Sequence, residues 1–435
     1  ALAIAGALKM NSSILYLDIG NNEIGSDGGV SFAEALKVND SLQKLSLQGC
    51  HIGVEGGKAM GKALRLNKTL VKIVLGDTNL GDDGLSAVCE GLKANHALRE
   101  IDFSGSKFGN QGAKTIANAL TENQNILKID LRSNEIGDQG AKMISRALTS
   151  NQAIQHLILK DNFIREEGAR SLGEALRINL TLRTLHLGGN LIEDEGVIAL
   201  SQALKVNRSL QKLCLQGCGI GQNGAVAFSD GLKKNQGLTK LNMGENFLMS
   251  EGAAAIARAL KMNRRLQNLQ LTKAHMGSYG ATAIFESLKS NRGLTKLNLQ
   301  HNNIGSDVAS MIAAAIKANR QLQQLDMGCN NLAEGVVAVI RSLSENQSLQ
   351  EINLESNRIS EESVVNLSEA LKSDKNVEKI DLSHNPVGDA GIMALIQVLK
   401  ANQTLKYLRL SGIKVDEEST RAIRLLDDHR LLRFQ

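Results

Sequence analysis

The sequence predicts an α/β solenoid, a curved horseshoe with a parallel β-sheet on its concave face and α-helices on its convex face. The first observation is a period, because asparagines recur almost every 28 residues, from Asn11 through Asn207 to Asn402. The other two observations lie inside each period, which begins with alternating apolar and polar residues and ends with apolar residues at helical spacing. A fixed period of this length is typical of one small unit stacked many times.

The first half of each unit predicts a short strand. In the unit that begins at Leu182, Leu185 and Leu187 flank the polar His186. Alternation with a period of two is expected of a half-buried strand.

The second half of each unit predicts a helix, as Ile116, Ala119 and Leu120 would share one helical face. A glycine, such as Gly28, separates strand from helix in most units, for close packing or a special turn conformation. The periodic asparagine follows the helix, where we expect the left-handed conformation of a C-terminal cap.

The stacked units predict one repeat domain over residues 1–435. Residues 1–13 would end a partial repeat, and about fifteen repeats would follow from residue 14, the last acting as a C-terminal cap. Strands pack about 4.8 Å apart and helices about 10 Å apart, so the stack must bend with the sheet inside. One interval, between Leu322 and Leu349, has 27 residues, and we place its missing residue in the turn near 333–335. The chain begins without Met inside a helix-like stretch, so we expect a segment upstream of residue 1.

The unit reads L-x-x-L-x-L-x-x-N-x-I-G, which resembles the signature of the leucine-rich repeat family. Its 28 residues and full helix resemble the ribonuclease-inhibitor-like class. The resemblance implies a ladder of strand-end asparagines whose side chains satisfy backbone groups in a buried turn. The ladder positions are Asn22, Asn134, Asn162, Asn190, Asn246, Asn302, Asn330, Asn357 and Asn385. Cys50 and Cys218 are substitutions that the family allows, whereas Thr78, Ser106, Ala274 and Ile413 depart from the pattern.

Composition favours a protein of a reducing compartment. Five cysteines show neither the density of a disulfide framework nor zinc-ligand spacing. We interpret six Asn-x-Ser/Thr sequons as repeat junctions, because they coincide with the periodic asparagines. They lie at Asn39, Asn67, Asn179, Asn207, Asn346 and Asn402. No apolar run approaches the roughly 20 residues of a membrane-spanning helix.

One cluster in the sequence has residue types that could carry catalytic chemistry: His156, His186 and Cys214, on three successive predicted strands. A thiolate and an imidazole can form a nucleophile pair or half of a metal site. No third orienting group is apparent in the sequence, so we interpret the cluster as ordinary concave surface. We therefore predict no catalytic residue, no metal, no cofactor and no small-molecule substrate.

Basic residues recur at the predicted helix ends: Lys37, Arg65, Lys93, Arg177, Lys205, Lys233, Lys261, Lys289, Lys317, Lys372 and Lys400. Cations there oppose the helix macrodipole favourably. The alternative is a ridge for acidic protein tails or nucleic acid. The lack of interleaved aromatic residues favours the first interpretation and disfavours nucleic acid.

The candidate partner-binding residues are Phe163, Leu191, Phe247 and Met249. The first three follow a strand-end asparagine, at a position that is usually polar, as in Glu23. We expect them on one rim in the middle of the arc, where an exposed apolar strip suggests a partner contact. The alternative is that these side chains tuck into the adjacent turn.

These patterns predict a non-catalytic protein–protein interaction scaffold, acting within a larger assembly in the cytoplasm or another reducing intracellular compartment. The resemblance extends to the sensor arrays of NOD-like receptors and to ciliary and other cytosolic scaffolds, so a cilium is also allowed. The alternative is a GTPase activator of the Ran type, which shares this repeat class. Such activators carry an acidic C-terminal region, whereas this chain ends RAIRLLDDHRLLRFQ.

Overall fold

A computed structural model describes residues 1–426 and 431–432, and the chain forms two compact units, Ala1–Gly219 and Ile220–Gln435. Residues 427–430 and 433–435, which belong to the expected C-terminal cap and to the terminal sequence compared with Ran activators, lie outside the described residues. The extent of the repeat domain stays a prediction.

The first unit alternates helices and three-residue strands in chain order. Its helices are α1 (Leu2–Leu8), α2 (Gly25–Leu36), α3 (Gly53–Leu66), α4 (Gly81–Ala94), α5 (Asn110–Glu122), α6 (Asp138–Ser150), α7 (Glu166–Ile178) and α8 (Glu193–Leu204). Its strands are β1 (Tyr16–Asp18), β2 (Lys44–Ser46), β3 (Lys72–Val74), β4 (Glu100–Asp102), β5 (Lys128–Asp130), β6 (His156–Ile158), β7 (Thr184–His186) and β8 (Lys212–Cys214).

The second unit continues the same alternation. Its helices are α9 (Gln222–Lys234), α10 (Met249–Met262), α11 (Gly277–Leu288), α12 (Ala309–Ala318), α13 (Val336–Leu343), α14 (Glu361–Ser373), α15 (Gly388–Ala401) and α16 (Glu417–Leu426). Its strands are β9 (Lys240–Asn242), β10 (Asn268–Gln270), β11 (Lys296–Asn298), β12 (Gln324–Asp326), β13 (Glu351–Asn353), β14 (Lys379–Asp381), β15 (Tyr407–Arg409) and β16 (Leu431–Leu432). Two short 3-10 helices span Ser306–Val308 and Ala333–Gly335.

Within each unit, consecutive strands pair in parallel and in the register of the repeat. Leu157 lies opposite Leu185 in the first unit, and Leu297 lies opposite Leu325 in the second. These central strand residues are buried with the helix leucines, as the period-two alternation requires. The predicted α/β solenoid is therefore confirmed. The 27-residue interval keeps this register, since Leu325 pairs with Ile352 and the shortened turn contains a 3-10 helix.

The periodic asparagines link neighbouring repeats by their side chains. Asn151 donates from Nδ2 to the carbonyl oxygens of Leu120 at 2.7 Å and Asn123 at 2.9 Å, both in the preceding repeat. Its Oδ1 accepts from the backbone N–H groups of Ala153 and Ile154. The prediction of a left-handed cap is wrong, because Asn151 is extended, with φ −78° and ψ 123°. The extended backbone is what lets the amide lie against the previous repeat.

The interpretation of the sequons as repeat junctions agrees with this geometry. Each of these six sequon asparagines is buried, and its Nδ2, the atom that a glycan would occupy, donates to carbonyl oxygens of the preceding repeat. The six are Asn39, Asn67, Asn179, Asn207, Asn346 and Asn402.

One repeat breaks this pattern, since Asp374 occupies the asparagine position. Its Oδ1 accepts from the backbone N–H groups of Asn376 and Val377, as an asparagine would. The other oxygen, Oδ2, is buried without a hydrogen-bond partner among the described residues. The Asn376 side chain supplies one hydrogen bond to the preceding repeat, by donating to the Asn346 carbonyl at 2.8 Å.

We expect Asp374→Asn to raise the free energy of unfolding by about 1–2 kcal/mol, because an amide donor would replace a buried oxygen without a partner. Urea unfolding of the whole chain measures the change. Asp374→Ala is the control and should lower stability, since it removes the Oδ1 acceptor as well. A chain that is no more stable with asparagine at 374 would contradict this account of the junction.

The strand-end ladder also forms as expected. Asn134 Nδ2 donates to the carbonyl oxygens of Phe103 and Leu131, and its Oδ1 accepts from the backbone N–H of Phe108. The Cys50 thiol takes the same place by donating to the Ile19 carbonyl. The ladder therefore satisfies backbone groups of the buried turn, as the resemblance implies.

The recurrent glycines have a packing role, and their predicted position is wrong. Gly112 lies in the first turn of α5 rather than between strand and helix. A Cβ atom there would lie 2.7 Å from the Cβ of Phe108, closer than such atoms pack. Of the two explanations offered by the sequence, close packing therefore holds at this position.

Candidate functional site

The first unit exposes two of the four candidate partner-binding residues. Phe163 is 65% exposed and Leu191 is 51% exposed. Their backbones are fixed, since the Phe163 N–H donates to the Ile136 carbonyl and the Leu191 N–H donates to the Ile164 carbonyl. The alternative, in which these side chains tuck into the neighbouring turn, is wrong for both residues.

The second unit exposes the other two, Phe247 at 54% and Met249 at 43%. The Phe247 ring stacks on His275 of the next repeat, with ring centroids 5.2 Å apart and planes within 15°. Met249 adopts a left-handed backbone with φ +54°, which costs a non-glycine residue about 1–2 kcal/mol. Gly277 takes the same conformation at the equivalent position of the following repeat. A methionine side chain is thus kept on this turn where glycine would fit without strain.

The histidine–cysteine cluster is only partly assembled. His156 pairs in register with Thr184, and its Nδ1 lies 2.9 Å from the Thr184 Oγ1. His186 pairs with Cys214, and both flank Gly188: a Cβ there would lie 3.2 Å from His186 Cε1 and 3.6 Å from Cys214 Sγ. The pKa of each imidazole is lowered, first by burial and then by neighbouring positive charges. Both rings are therefore neutral at pH 7.

The cysteines are thiols rather than disulfides. Burial raises the pKa of Cys89 and Cys218 to about 12, so neither supplies a thiolate at neutral pH. Within residues 1–426 and 431–432, no group of three His, Cys, Asp or Glu side chains is placed to hold a metal ion.

Four of the eleven basic residues at the helix ends form an ion pair with an acid one turn earlier. Lys289 lies 2.6 Å from Glu286, and Lys93 contacts both Glu90 and Glu122. These i,i+3 ion pairs are a second reason, beside the helix macrodipole, why basic residues recur at the helix ends. They reduce the net positive charge that an acidic partner would meet.

A groove of about 490 Å³ lies on the sheet face of the second unit, and we call it the sheet-face groove. It runs from Asn268 on β10 to Arg409 on β15 and is lined by the outward side chains of the six strands. Ion pairs organise one end. Lys379 lies 2.7 Å from Glu351, and Arg409 lies 3.3 Å from Asp381.

Asp326 lies in the middle of the sheet-face groove, surrounded by neutral donors. Its carboxylate accepts hydrogen bonds from the backbone N–H of Gly328 at 3.1 Å and from Asn298 Nδ2 at 3.3 Å. The amides of Gln300 and Asn353 also donate to it. Burial is the main cause that raises the pKa of Asp326 above its usual range. The carboxylate forms no ion pair with any described residue.

Sequence reasoning missed the sheet-face groove. The strand positions that line it follow directly from the repeat. Their lysines and glutamates suggest that neighbouring charges compensate each other. The signal that was available is the run of amides, Asn298, Gln324 and Asn353, around one aspartate. The burial of that aspartate depends on side-chain geometry, which the repeat does not specify.

The sequence profile described as Leucine Rich repeat matches ten segments that together cover more than half of the chain. The chain belongs to the leucine-rich repeat family. The matched residues are 11–33, 38–61, 66–89, 94–117, 122–145, 179–201, 206–229, 290–313, 345–368 and 373–395.

Solved structures similar to this leucine-rich repeat protein include an internalin, InlF, from Listeria monocytogenes. It has a TM-score of 0.51 and 16% identity, with 86% of this chain and 89% of the internalin covered. A chain of the yeast Rad7–Elc1 complex has a TM-score of 0.49 and 16% identity, with 96% of this chain and 84% of that one covered. The internalin likeness concerns the fold alone. No curated protein sequence matches the chain.

Proposed function

We propose that this leucine-rich repeat protein is a non-catalytic scaffold that binds protein partners within a larger assembly. The observation that carries the proposal is the exposure of Phe163 and Leu191 in one unit and of Phe247 and Met249 in the other. The positions equivalent to Phe163, Leu191 and Phe247 in other repeats are usually polar, as at Glu135.

Exposing large apolar side chains to water is unfavourable in free energy, and burial against a partner removes that penalty. Burying one phenylalanine fully contributes about 1.5–3 kcal/mol, and few interface residues supply most binding energy. The Phe163 and Phe247 backbones are held by hydrogen bonds, so little order is lost when a partner contacts their rings.

The proposed setting is a reducing intracellular compartment, which the presence of the five cysteines as thiols supports. No helix in the described part of the chain combines the length and the apolarity that crossing a bilayer requires. The likeness to NOD-like receptor arrays and ciliary scaffolds agrees with a binding role and names no partner.

We expect Phe163→Glu and Phe247→Glu, made singly and together, to weaken partner capture, with at least a tenfold loss for the double variant. A buried carboxylate would replace each ring at the contact. Quantitative affinity capture from the native source measures the loss, and circular dichroism checks that the variants fold.

Asn331→Glu is the matched control. Asn331 is exposed and forms the same isolated bridge to a glycine as Phe163 does, so it tests added charge on an equivalent turn. Capture that is equal for wild type and the double variant would remove the apolar turn residues from the proposal. Acceleration of GTP hydrolysis by a candidate small GTPase would overturn the non-catalytic assignment and support the Ran-type alternative.

A further inference from the structure

The sheet-face groove has the length of a short extended peptide. From β10 to β15 it crosses five strand spacings of about 4.8 Å, roughly 24 Å in all. An extended chain advances about 3.3–3.6 Å per residue, so about seven residues would cover this distance.

The lining suits a peptide backbone. Asn268, Gln270, Asn298, Gln324 and Asn353 project from successive strands into the groove. An amide side chain offers both donors and an acceptor, and these are the groups that an extended backbone must satisfy. Such contacts hold a chain without selecting its sequence.

Selectivity must therefore come from charge. Glu351 is paired with Lys379, and Asp381 is paired with Arg409. Among the acidic residues that line the groove, Asp326 is thus the one without an ion pair to a described residue. Its donors are neutral, and burial disfavours its ionised form. A cation delivered by a ligand would offset that desolvation and form a charge-assisted hydrogen bond.

We propose that the sheet-face groove binds an extended peptide segment of a protein partner and selects a lysine or arginine side chain at Asp326. The proposal rests on the proposed function in taking the partner to be a protein, and it concerns a surface separate from Phe247. Nucleic acid is disfavoured because the lining carries as many acidic as basic side chains.

An array of seven-residue peptides tests the proposal. Each spot has randomised flanks and a fixed central residue, and the whole labelled chain is the probe. We expect spots with central lysine or arginine to retain at least fivefold more protein than spots with central norleucine or glutamate. In Asp326→Asn, a nearly isosteric change, this preference should disappear.

Two variants separate the possible outcomes. Glu351→Gln removes a paired carboxylate from the same groove and should keep the preference for a basic residue. Phe247→Glu should also keep it, so failure of the turn-residue proposal would leave this result unchanged. The inference is overturned if wild type shows no basic preference or if Asp326→Asn shows the same preference. Stronger retention of a labelled oligothymidine than of any peptide would also overturn it.

Discussion

Asn151→Asp should lower the free energy of unfolding of the first unit by about 3–5 kcal/mol, because it turns two buried donor contacts into repulsions. The Asn151 amide now donates to the Leu120 and Asn123 carbonyl oxygens at 2.7 and 2.9 Å. An aspartate would place a carboxylate oxygen against those carbonyls in a buried junction. Urea unfolding, together with amide hydrogen exchange of α5 and α6, measures the loss.

The matched control for this change is Asn110→Asp. Among the described residues, Asn110 bonds to the next repeat through its Oδ1, which accepts from the backbone N–H groups of Gly137 and Gly140. The chain uses Asp138 in the same way one repeat later. Asn110→Asp should therefore change stability by less than about 0.5 kcal/mol, as expected for an exposed site that keeps its contacts. Equal effects at 110 and 151 would show that the donating nitrogen is not what matters at the junction.

The period of the sequence was enough to predict the solenoid, since a recurring residue must have the same role in every repeat. The resemblance to the leucine-rich repeat family implied the strand-end ladder. The period was not enough to predict the backbone conformation in which Asn151 forms its hydrogen bonds. Asparagine is compatible with a left-handed cap and with an extended backbone. The choice depends on carbonyl groups 28 and 31 residues earlier, which become neighbours only after stacking.

The candidate sites depend still more on three-dimensional packing. The position of Phe163 after a strand-end asparagine could be predicted, and its exposure followed from the break in a polar pattern. The importance of Asp326 could not be predicted, because the equivalent positions on the neighbouring strands are also polar. Asp326 differs from them because its carboxylate is partly buried among amide side chains and has no cationic partner among the described residues. The residue types at successive strand positions do not reveal this burial.

Gly61→Ala should lower the free energy of unfolding by about 3 kcal/mol, because even one methyl group overpacks the contact between α3 and α4. A Cβ on Gly61 would lie 2.1 Å from the Ala87 carbonyl oxygen, and a Cβ on Gly91 would lie 2.3 Å from the Gly61 carbonyl oxygen. The two backbones touch directly, so the strain cannot be relieved by a side-chain rotation, and the helices must separate.

Gly6→Ala is the control: Gly6 also lies inside a helix, but a Cβ there meets no atom within 4 Å. That change should raise stability by about 0.5–1 kcal/mol through helix propensity. Urea unfolding of both variants should therefore give opposite signs, and a tolerated Gly61→Ala would mean that α3 and α4 can move apart without loss.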